Sequence, residues 1–413
     1  MKVLFFIFIF FNFLNPISPV LTIIIDVLIM MMAAKSEVVG GRMLSRIVVF
    51  CSVIWLWSLI VMLINNNLNT YIFFKYLRMP IMAIIISTCV SKLKFNSDIV
   101  LKSLYYLCLV NVLSIWIELY FPSTRDLIAK VLNISRVDAA SFFENRVMGI
   151  AGSFESCSIM CILIMIIAYI KYQNKNSLID LLVIFVAFAS MIFVSRTGML
   201  IGAFILIYML FGLFKASKSY HKIIVGSFAF SIVFVTVAIM LPILINSSGL
   251  FEEAFETGYA LELGEGFGSG TAGELTKGSS SHMNILKAPI SELILGYGIN
   301  SEDFAGKNIA TDIGYLEFIC HIGIIGLALV IILHLFIMKY IISSNKRIRR
   351  INNMSGVLSI NRVNLMYLVV LFVFNYKLML LFSRGTFELL LILLFASEKL
   401  LKNQRKQCQI VMM

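Results

Sequence analysis

The chain has 413 residues, of which 60% are hydrophobic and 14% are charged. Soluble globular proteins carry about 25% charged residues, so this composition and a mean hydropathy of +0.96 exclude a soluble fold. The net charge of +12 does not indicate nucleic-acid binding, because the charges lie between apolar blocks and form no basic face. We therefore expect an all-α polytopic integral membrane protein.

Apolar runs near twenty residues long predict ten membrane-spanning helices after the first 34 residues. These spans lie at about 47–64, 71–90, 99–121, 157–172, 178–194, 198–214, 223–243, 311–338, 363–382 and 386–400. The earlier apolar run 3–33 is interrupted by the two prolines Pro16 and Pro19, which favours two short spans and about 12 (11–12) helices in all. One kinked helix and a cleaved signal peptide are the alternative interpretations of this run.

The distribution of Lys and Arg predicts the orientation, since cytoplasmic loops carry the excess of both. One set of alternate loops, which includes residues 339–362, holds 21 of the 34 basic residues, so we assign it to the cytoplasm. The other side then has two long periplasmic loops, about 122–156 and 244–310. The larger of these holds nine acidic residues against three lysines, which agrees with the assignment. Residues 1–413 are expected to form a single integral membrane domain.

Five cations lie in predicted spans or tight outer turns, where a charge in the hydrocarbon region costs roughly 2.5–3.5 kcal/mol. They are Lys75, Arg78, Arg196, Lys377 and Arg384. Lys75 and Arg78 are three residues apart on one helix face, and Lys377 precedes Arg384 by seven residues, again one face of a helix.

Cations gathered at one depth repel one another unless an anion is bound, so this pattern predicts an anion site. Phosphate fits the two-pronged guanidinium of arginine best. Each cation also has a structural interpretation. Arg384 could pair with Glu388 at i,i+4, and the long side chains of Lys75 and Arg78 could reach the membrane interface.

Both long outer loops end in residues that suit a ligand site. The first ends with Arg146 and, nine residues later, Glu155, which supply opposite charges at the membrane rim; Glu155 could equally serve as a helix-dipole partner. The second ends in Gly296-Tyr297-Gly298, followed by Asp312 and Tyr315 at the start of a span. Asp312 could also be only a helix cap.

With these residues in this order, the chain resembles the O-antigen polymerase (Wzy-type) family, which is related to the O-antigen ligases. The matching pieces are Arg146-x-x-Gly149 with Phe154-Glu155, Ser195-Arg196-Thr197-Gly198, Gly296-Tyr297-Gly298, Asp312-x-x-Tyr315-Leu316 with Gly323-Ile324-Ile325-Gly326, and the basic last hairpin. The resemblance implies an inner-membrane glycosyltransferase that uses undecaprenyl-diphosphate-linked oligosaccharide, with no cofactor and no metal ion. It also implies contact with membrane lipid, with a chain-length regulator and with a flippase.

Two departures from the family pattern concern the site. His282 stands where the family usually has an arginine upstream of the Gly-x-Gly turn. Asp312 stands where ligases typically have a histidine, which favours a polymerase over a ligase.

The resemblance and the charges together suggest roles for these residues. The cations expected to hold the diphosphate are Arg146, Arg196 and Arg384, supported by Lys75, Arg78 and Lys377. Asp312 is the first candidate for the base, followed by Glu155 and His282, and Tyr315 is expected to contact substrate. A ligase, or a flippase of the same lipid-linked unit, is the alternative function.

The orientation can be tested with reporter fusions near Gly270 and Asn352. We expect a reporter active in the periplasm to work only at Gly270, and one active in the cytoplasm only at Asn352. Signals from the same side at both positions would contradict the assignment.

Overall fold

A computed structural model describes residues 2–13, 19–31, 39–121, 123–124, 127, 147, 149–151, 153–216, 289–299, 313–348, 355–376 and 379–411. All regular secondary structure within these ranges is helical. The predicted span 223–243 and most of both long loops lie outside the described residues.

Twelve helices are described. The first five are α1 (Lys2–Phe13), α2 (Pro19–Met31), α3 (Gly41–Ile64), α4 (Thr70–Lys92) and α5 (Ser97–Tyr120). The next three are α6 (Phe154–Lys175), α7 (Leu178–Ile192) and α8 (Arg196–Ala216). The last four are α9 (Ile290–Leu295), α10 (Gly314–Ile348), α11 (Ser355–Phe374) and α12 (Thr386–Val411).

Six of these helices, α3, α4, α5, α6, α10 and α11, are long and apolar enough to cross a membrane. Shorter apolar helices lie within α1, α2, α7 and α8. The chain is therefore a helical membrane protein, as its composition predicts.

The chain divides into two compact units. The first unit combines residues Met1–Leu107 and Asn284–Met413, and the second is Cys108–Met283. In the second unit α6 packs on α7 and α8. The ion pair of Lys171 with Asp180 (2.8 Å) holds the turn between α6 and α7, and Trp116 Nε1 donates to Ser190 Oγ at 2.9 Å.

In the first unit, α4 packs against α3, α2 and α12, while α10 packs against α3 and α11. Helices α4 and α12 run in the same direction, because they are joined near both ends. Arg78, about two turns into α4, contacts Glu388 in the first turn of α12. Lys399, late in α12, donates to the carbonyl groups of Val90 and Ser91 at the end of α4.

Helix α10 is broken at Gly323, which has φ 67° and ψ −178°. The break removes the normal helical partners of nearby carbonyl groups, and other elements replace them. Trp57 Nε1 of α3 donates to the Ile322 carbonyl at 2.8 Å. The Cys320 carbonyl accepts from the backbone N–H groups of Tyr297 and Gly298, at 2.8 and 3.1 Å.

The Gly-Tyr-Gly turn after α9 fits directly against this break. A Cβ atom on Gly296 would collide with the backbone nitrogen of Gly323, and one on Gly323 would collide with the Ile294 carbonyl. The Gly296 carbonyl accepts from Asn65 Nδ2 at 3.1 Å. Partial burial and a hydrogen bond to Glu292 raise the pKa of Tyr297. The two glycines thus allow the turn to fix the start of α10.

The helix predicted at 363–382 is displaced, since α11 ends at Phe374. The described residues that follow it are not helical, and Asn375 and residues 379–382 among them are buried. Asn375 Oδ1 accepts from the backbone N–H groups of Leu380 and Leu381, at 2.8 and 3.1 Å, and the Leu381 carbonyl lies 3.2 Å from His334 Nε2. Side chains thus satisfy a non-helical backbone that hydropathy alone assigned to a span.

Replacing Gly323 with alanine should destabilise the protein. Gly323 has a backbone conformation that is essentially restricted to glycine, and another residue placed there costs about 1–3 kcal/mol. The added Cβ atom would also collide with the backbone of Ile294 and Leu295 at the end of α9. We expect a lower melting temperature of the purified protein in detergent. Ile324→Ala, at an exposed neighbour, is the control. A Gly323→Ala variant with the wild-type melting temperature would contradict the close contact between Gly323 and the end of α9.

Candidate functional site

Seven polar side chains gather where α4, α10 and α12 begin, among otherwise apolar helices. We call this group the polar cluster; it consists of Lys75, Tyr76, Arg78, Glu317, His321, Arg384 and Glu388. All seven belong to the first unit.

Arg78 and Glu388 form the central ion pair of the polar cluster. Arg78 Nη2 lies 3.3 Å from Glu388 Oε1, and the two side chains are 28% and 2% exposed. Glu388 Oε2 accepts from the Gly385 backbone N–H at 2.7 Å, as the third-residue glutamate of a capping box does. Arg78 Nε is buried and has no hydrogen-bond partner among the described residues. The guanidinium therefore has unused donor capacity.

Arg384 lies in the turn just before α12, and its side chain is exposed. It interacts electrostatically with both Arg78 and Glu388. The sequence offered an i,i+4 pair of Arg384 with Glu388, but the short ion-pair contact of Glu388 is with Arg78. Two guanidinium groups therefore share one carboxylate.

Glu317, His321 and Tyr76 form a connected row. His321 Nε2 lies 2.9 Å from Glu317 Oε1, and His321 Nδ1 lies 3.4 Å from the Tyr76 hydroxyl. Because an ionised carboxylate only accepts hydrogen bonds, Nε2 carries the proton of a neutral His321 ring and Nδ1 accepts from Tyr76. The row is thus satisfied with His321 neutral and Glu317 charged.

Lys75 lies near Glu317 and Arg78 in the polar cluster. Its ammonium group interacts electrostatically with Glu317 and with Arg78. Lys75 Nζ also lies 2.8 Å from Met379 Sδ, in the segment before α12. Lys75 and Arg78 therefore enter one site, as their three-residue spacing on a helix predicts.

The polar cluster carries an excess of positive charge. With His321 neutral, the three cations of the polar cluster (Lys75, Arg78, Arg384) outnumber its two carboxylates (Glu317, Glu388) by one; the Asp26 carboxylate of α2, which interacts electrostatically with Glu388, offsets that charge where it is ionised. The positive ends of the α4, α10 and α12 dipoles lie at the same end and add to this. The arrangement suits an anion. Among the described residues, no group of three or more His, Cys, Asp or Glu side chains could hold a metal ion.

A further buried carboxylate, Asp26, lies in α2. It is 1% exposed, accepts from Asn12 Nδ2 at 2.9 Å, and interacts electrostatically with Glu388. The Asp26 carbonyl contacts Cys89 Sγ, eleven residues along α4 from Arg78. Ionisable groups therefore occur at more than one depth, and the sequence analysis missed this because it did not select Asp26 within the run 3–33.

Four predicted site residues lie outside the described residues: Arg146, His282, Asp312 and Lys377. Arg196 begins α8 in the second unit, and its side chain is likewise outside the described part. The expectation that Lys377 and Arg384 share a helix face is wrong, because the described residues around them are not helical. Asn375 holds that segment in another conformation.

Glu155 and Tyr315 have other surroundings. Glu155 lies in the first turn of α6, in the second unit, where Ser153 caps the helix by accepting from the Ser156 N–H at 3.1 Å. The Tyr315 hydroxyl donates to the Phe372 carbonyl of α11 at 2.6 Å. The described contacts therefore bring neither residue into the polar cluster.

The sequence analysis did not select Glu317 and His321, although both carry a usable signal. They are four residues apart, so they share a face of α10, and both are ionisable residues within a span. An intramembrane ionisable residue indicates a functional site by default.

A scan against models of known protein families finds no match to this chain. A search of curated proteins likewise finds no significant match.

The pair of Arg78 with Glu388 can be tested by a double-mutant cycle. Arg78→Gln and Glu388→Gln should each lower the melting temperature, because each leaves a buried charge without its partner. The double variant should lose less stability than the two single variants together, and the coupling free energy between the two residues should be about 0.5–3 kcal/mol. Melting of the purified variants in detergent measures this.

The exposed pair of Asp98 with Lys102 is the matched control, since both side chains are more than half exposed. Its cycle should give a coupling near zero. Additive losses at Arg78 and Glu388 would show that the two residues do not support each other.

Proposed function

We propose that the protein is a glycosyltransferase of the bacterial inner membrane that joins undecaprenyl-diphosphate-linked oligosaccharide units into a surface polysaccharide. This is the activity of the O-antigen polymerases that the sequence resembles. The active site faces the periplasm in this proposal, because the polar cluster lies at the ends of α4, α10 and α12 that the distribution of Lys and Arg assigns to that side.

The observation that carries the proposal is the excess of cations over carboxylates within the polar cluster. A diphosphate bound there would form charge-assisted hydrogen bonds with Lys75, Arg78 and Arg384. Arg78 Nε has no hydrogen-bond partner in the part of the chain that the structure describes, and Arg384 is exposed in the turn before α12. The same charges would stabilise the diphosphate as it leaves the donor sugar, when its negative charge increases.

The remaining predicted roles belong to this proposal as well. Arg146, Arg196 and Lys377 would add further positive charge, and the two long outer loops would hold the glycan. A base is needed for the attacking sugar hydroxyl, and Asp312, Glu155 and His282 are the candidates that the sequence supplies.

A transporter of the same lipid-linked unit is the second candidate function. Asp26 favours it, because a transporter needs ionisable groups through the depth of the bilayer. An assay in detergent solution distinguishes a polymerase from a transporter, because without a membrane there are no two compartments between which a substrate could be moved. With purified lipid-linked repeat units, a polymerase should produce chains of many units, whereas a transporter should leave every unit unchanged. A ligase would instead transfer its glycan only to an added lipid acceptor.

Polymer formation should depend on the arginines of the polar cluster. Arg78→Ala and Arg384→Ala each remove charged hydrogen bonds of about 1.5–3 kcal/mol, so the rate should fall roughly 10- to 100-fold. Arg384→Lys should also be impaired, because lysine keeps the charge but loses the two-pronged geometry. Glycan ladders from a complemented deletion strain measure the effect.

Arg362→Ala is the matched control, since Arg362 is exposed on α11 in the same unit. It should give a normal ladder. Normal ladders from both alanine variants of the polar cluster, at normal protein level, would reject the diphosphate site.

A further inference from the structure

We propose that an anionic phospholipid binds to the surface where α3 and α10 meet, at the end of both helices that is assigned to the cytoplasm. Four exposed cations at that end form a group that we call the basic patch; they are Arg42, Arg46, Lys339 and Lys346. The basic patch is separate from the polar cluster, and this inference does not depend on the proposed glycosyltransferase activity.

On α3, one exposed stripe changes from apolar to basic along the helix. Val49, Val53 and Leu56 are exposed and recur at helical spacing, so they lie on one side of the helix. Arg46 and Arg42 are exposed three and seven residues before Val49, which places them on the same stripe. The apolar stripe of α3 therefore ends in two cations.

The exposed stripe of α10 changes in the same way. Ile332 and Leu335 are exposed and three residues apart. Lys339 and Lys346 are exposed four and eleven residues after Leu335, and both spacings return to nearly the same side of an α-helix. Two cations therefore end the apolar stripe of this helix as well.

Two contacts show that α3 and α10 are antiparallel neighbours. The rings of Phe50 and Phe336 have their centroids 5.9 Å apart. Seven residues later in α3, Trp57 donates to the carbonyl group of Ile322, which lies earlier in α10. A step towards the start of α3 is therefore a step towards the end of α10.

This antiparallel packing brings the basic ends of the two stripes together. Arg46 lies about one turn before Phe50, and Lys339 lies about one turn after Phe336, so both are displaced from the ring contact towards the same end. The other two cations of the basic patch follow at that end, one on each helix. The basic patch thus spans the contact of α3 with α10.

The basic patch lies at the depth of lipid headgroups. The apolar runs 47–64 and 311–338, which predict the two spans, stop immediately beside Arg46 and Lys339. Exposed apolar side chains therefore cover each helix on one side of this boundary, and cations follow on the other. A phosphate at the boundary would meet the cations while its acyl chain lay along the apolar stripes.

The cations of the basic patch have no acidic partners on their own helices. Helix α3 contains no acidic residue, and α10 contains none after Glu317. Among the described residues, none of the four cations takes part in an ion pair. Their charge is therefore available to an external anion.

The combination of charge and apolar surface selects an anionic phospholipid. A phosphate accepts strong hydrogen bonds from Arg and Lys, and basic sites between membrane helices on the cytoplasmic side bind anionic headgroups. A zwitterionic lipid brings its own cation, which the basic patch would repel. A soluble anion would leave the apolar stripes without a ligand.

Melting of the purified full-length protein in detergent tests the proposal. Added phosphatidylglycerol should raise the melting temperature, because a ligand that binds only the folded protein stabilises it by mass action. Phosphatidylcholine with the same acyl chains and inorganic phosphate should each give a much smaller shift. The dependence of the shift on lipid concentration gives the apparent affinity.

The double variant Arg46→Gln/Lys339→Gln should bind phosphatidylglycerol more weakly, by about fivefold for each cation and roughly 25-fold in all. Without lipid it should melt as the wild type does, since both side chains are exposed and outside the described ion pairs. The matched control is Lys94→Gln/Arg362→Gln, which removes one exposed lysine and one exposed arginine elsewhere in the first unit. It should keep the wild-type affinity.

Wild-type affinity in Arg46→Gln/Lys339→Gln would overturn the proposal, and so would an equal loss in the control, which would show that only the total charge attracts the lipid. An equal shift with inorganic phosphate would make the basic patch a site for a bare anion, and an equal shift with phosphatidylcholine would leave only apolar contact; either result overturns the lipid assignment. If Arg46→Gln/Lys339→Gln does not fold, Arg42→Gln/Lys346→Gln decides, because an unchanged affinity there would contradict the basic patch.

Discussion

A lipid bilayer offers no hydrogen bonds to a polypeptide, so any backbone group that leaves a helix inside the membrane must find its partner within the chain. This constraint organises the first unit around the break at Gly323. Trp57 of α3 and the turn after α9 supply the missing donors. Because these donors come from two distant parts of the sequence, the break joins both of them to α10. The first nine residues of α10, which carry Glu317 and His321, gain a fixed direction from it.

The same constraint applies to charge. A buried ion must have a partner, and the polar cluster satisfies this only in part. Glu388 pairs with Arg78 and also caps the start of α12. Glu317 contacts His321 and interacts electrostatically with Lys75. Each carboxylate therefore has two structural partners, yet one positive charge is left over. This excess of cations within the cluster is the feature on which the proposed diphosphate site rests.

Periodicity and hydropathy predict much of this architecture. They locate the helices from α3 to α6 to within a few residues, and the spacing of Lys75 and Arg78 predicts their shared site. They miss the buried segment after α11, because Asn375 satisfies a non-helical backbone whose composition is that of a span. They also miss the pairing of Arg78 with Glu388, since contacts between helices 310 residues apart leave no local pattern in a single sequence.

Helices α4 and α12 are fastened at two points far apart along their length. Arg78 forms one of these contacts with Glu388, and Lys399 forms the other with the carbonyl groups of Val90, Ser91 and Leu93 at and just after the end of α4, at 2.5–2.9 Å. Two parallel helices held at two points cannot slide past each other without breaking one of these contacts. If an anion binds as proposed, the Arg78 side chain can turn toward it about its own bonds, while these contacts keep the two helices in place along each other.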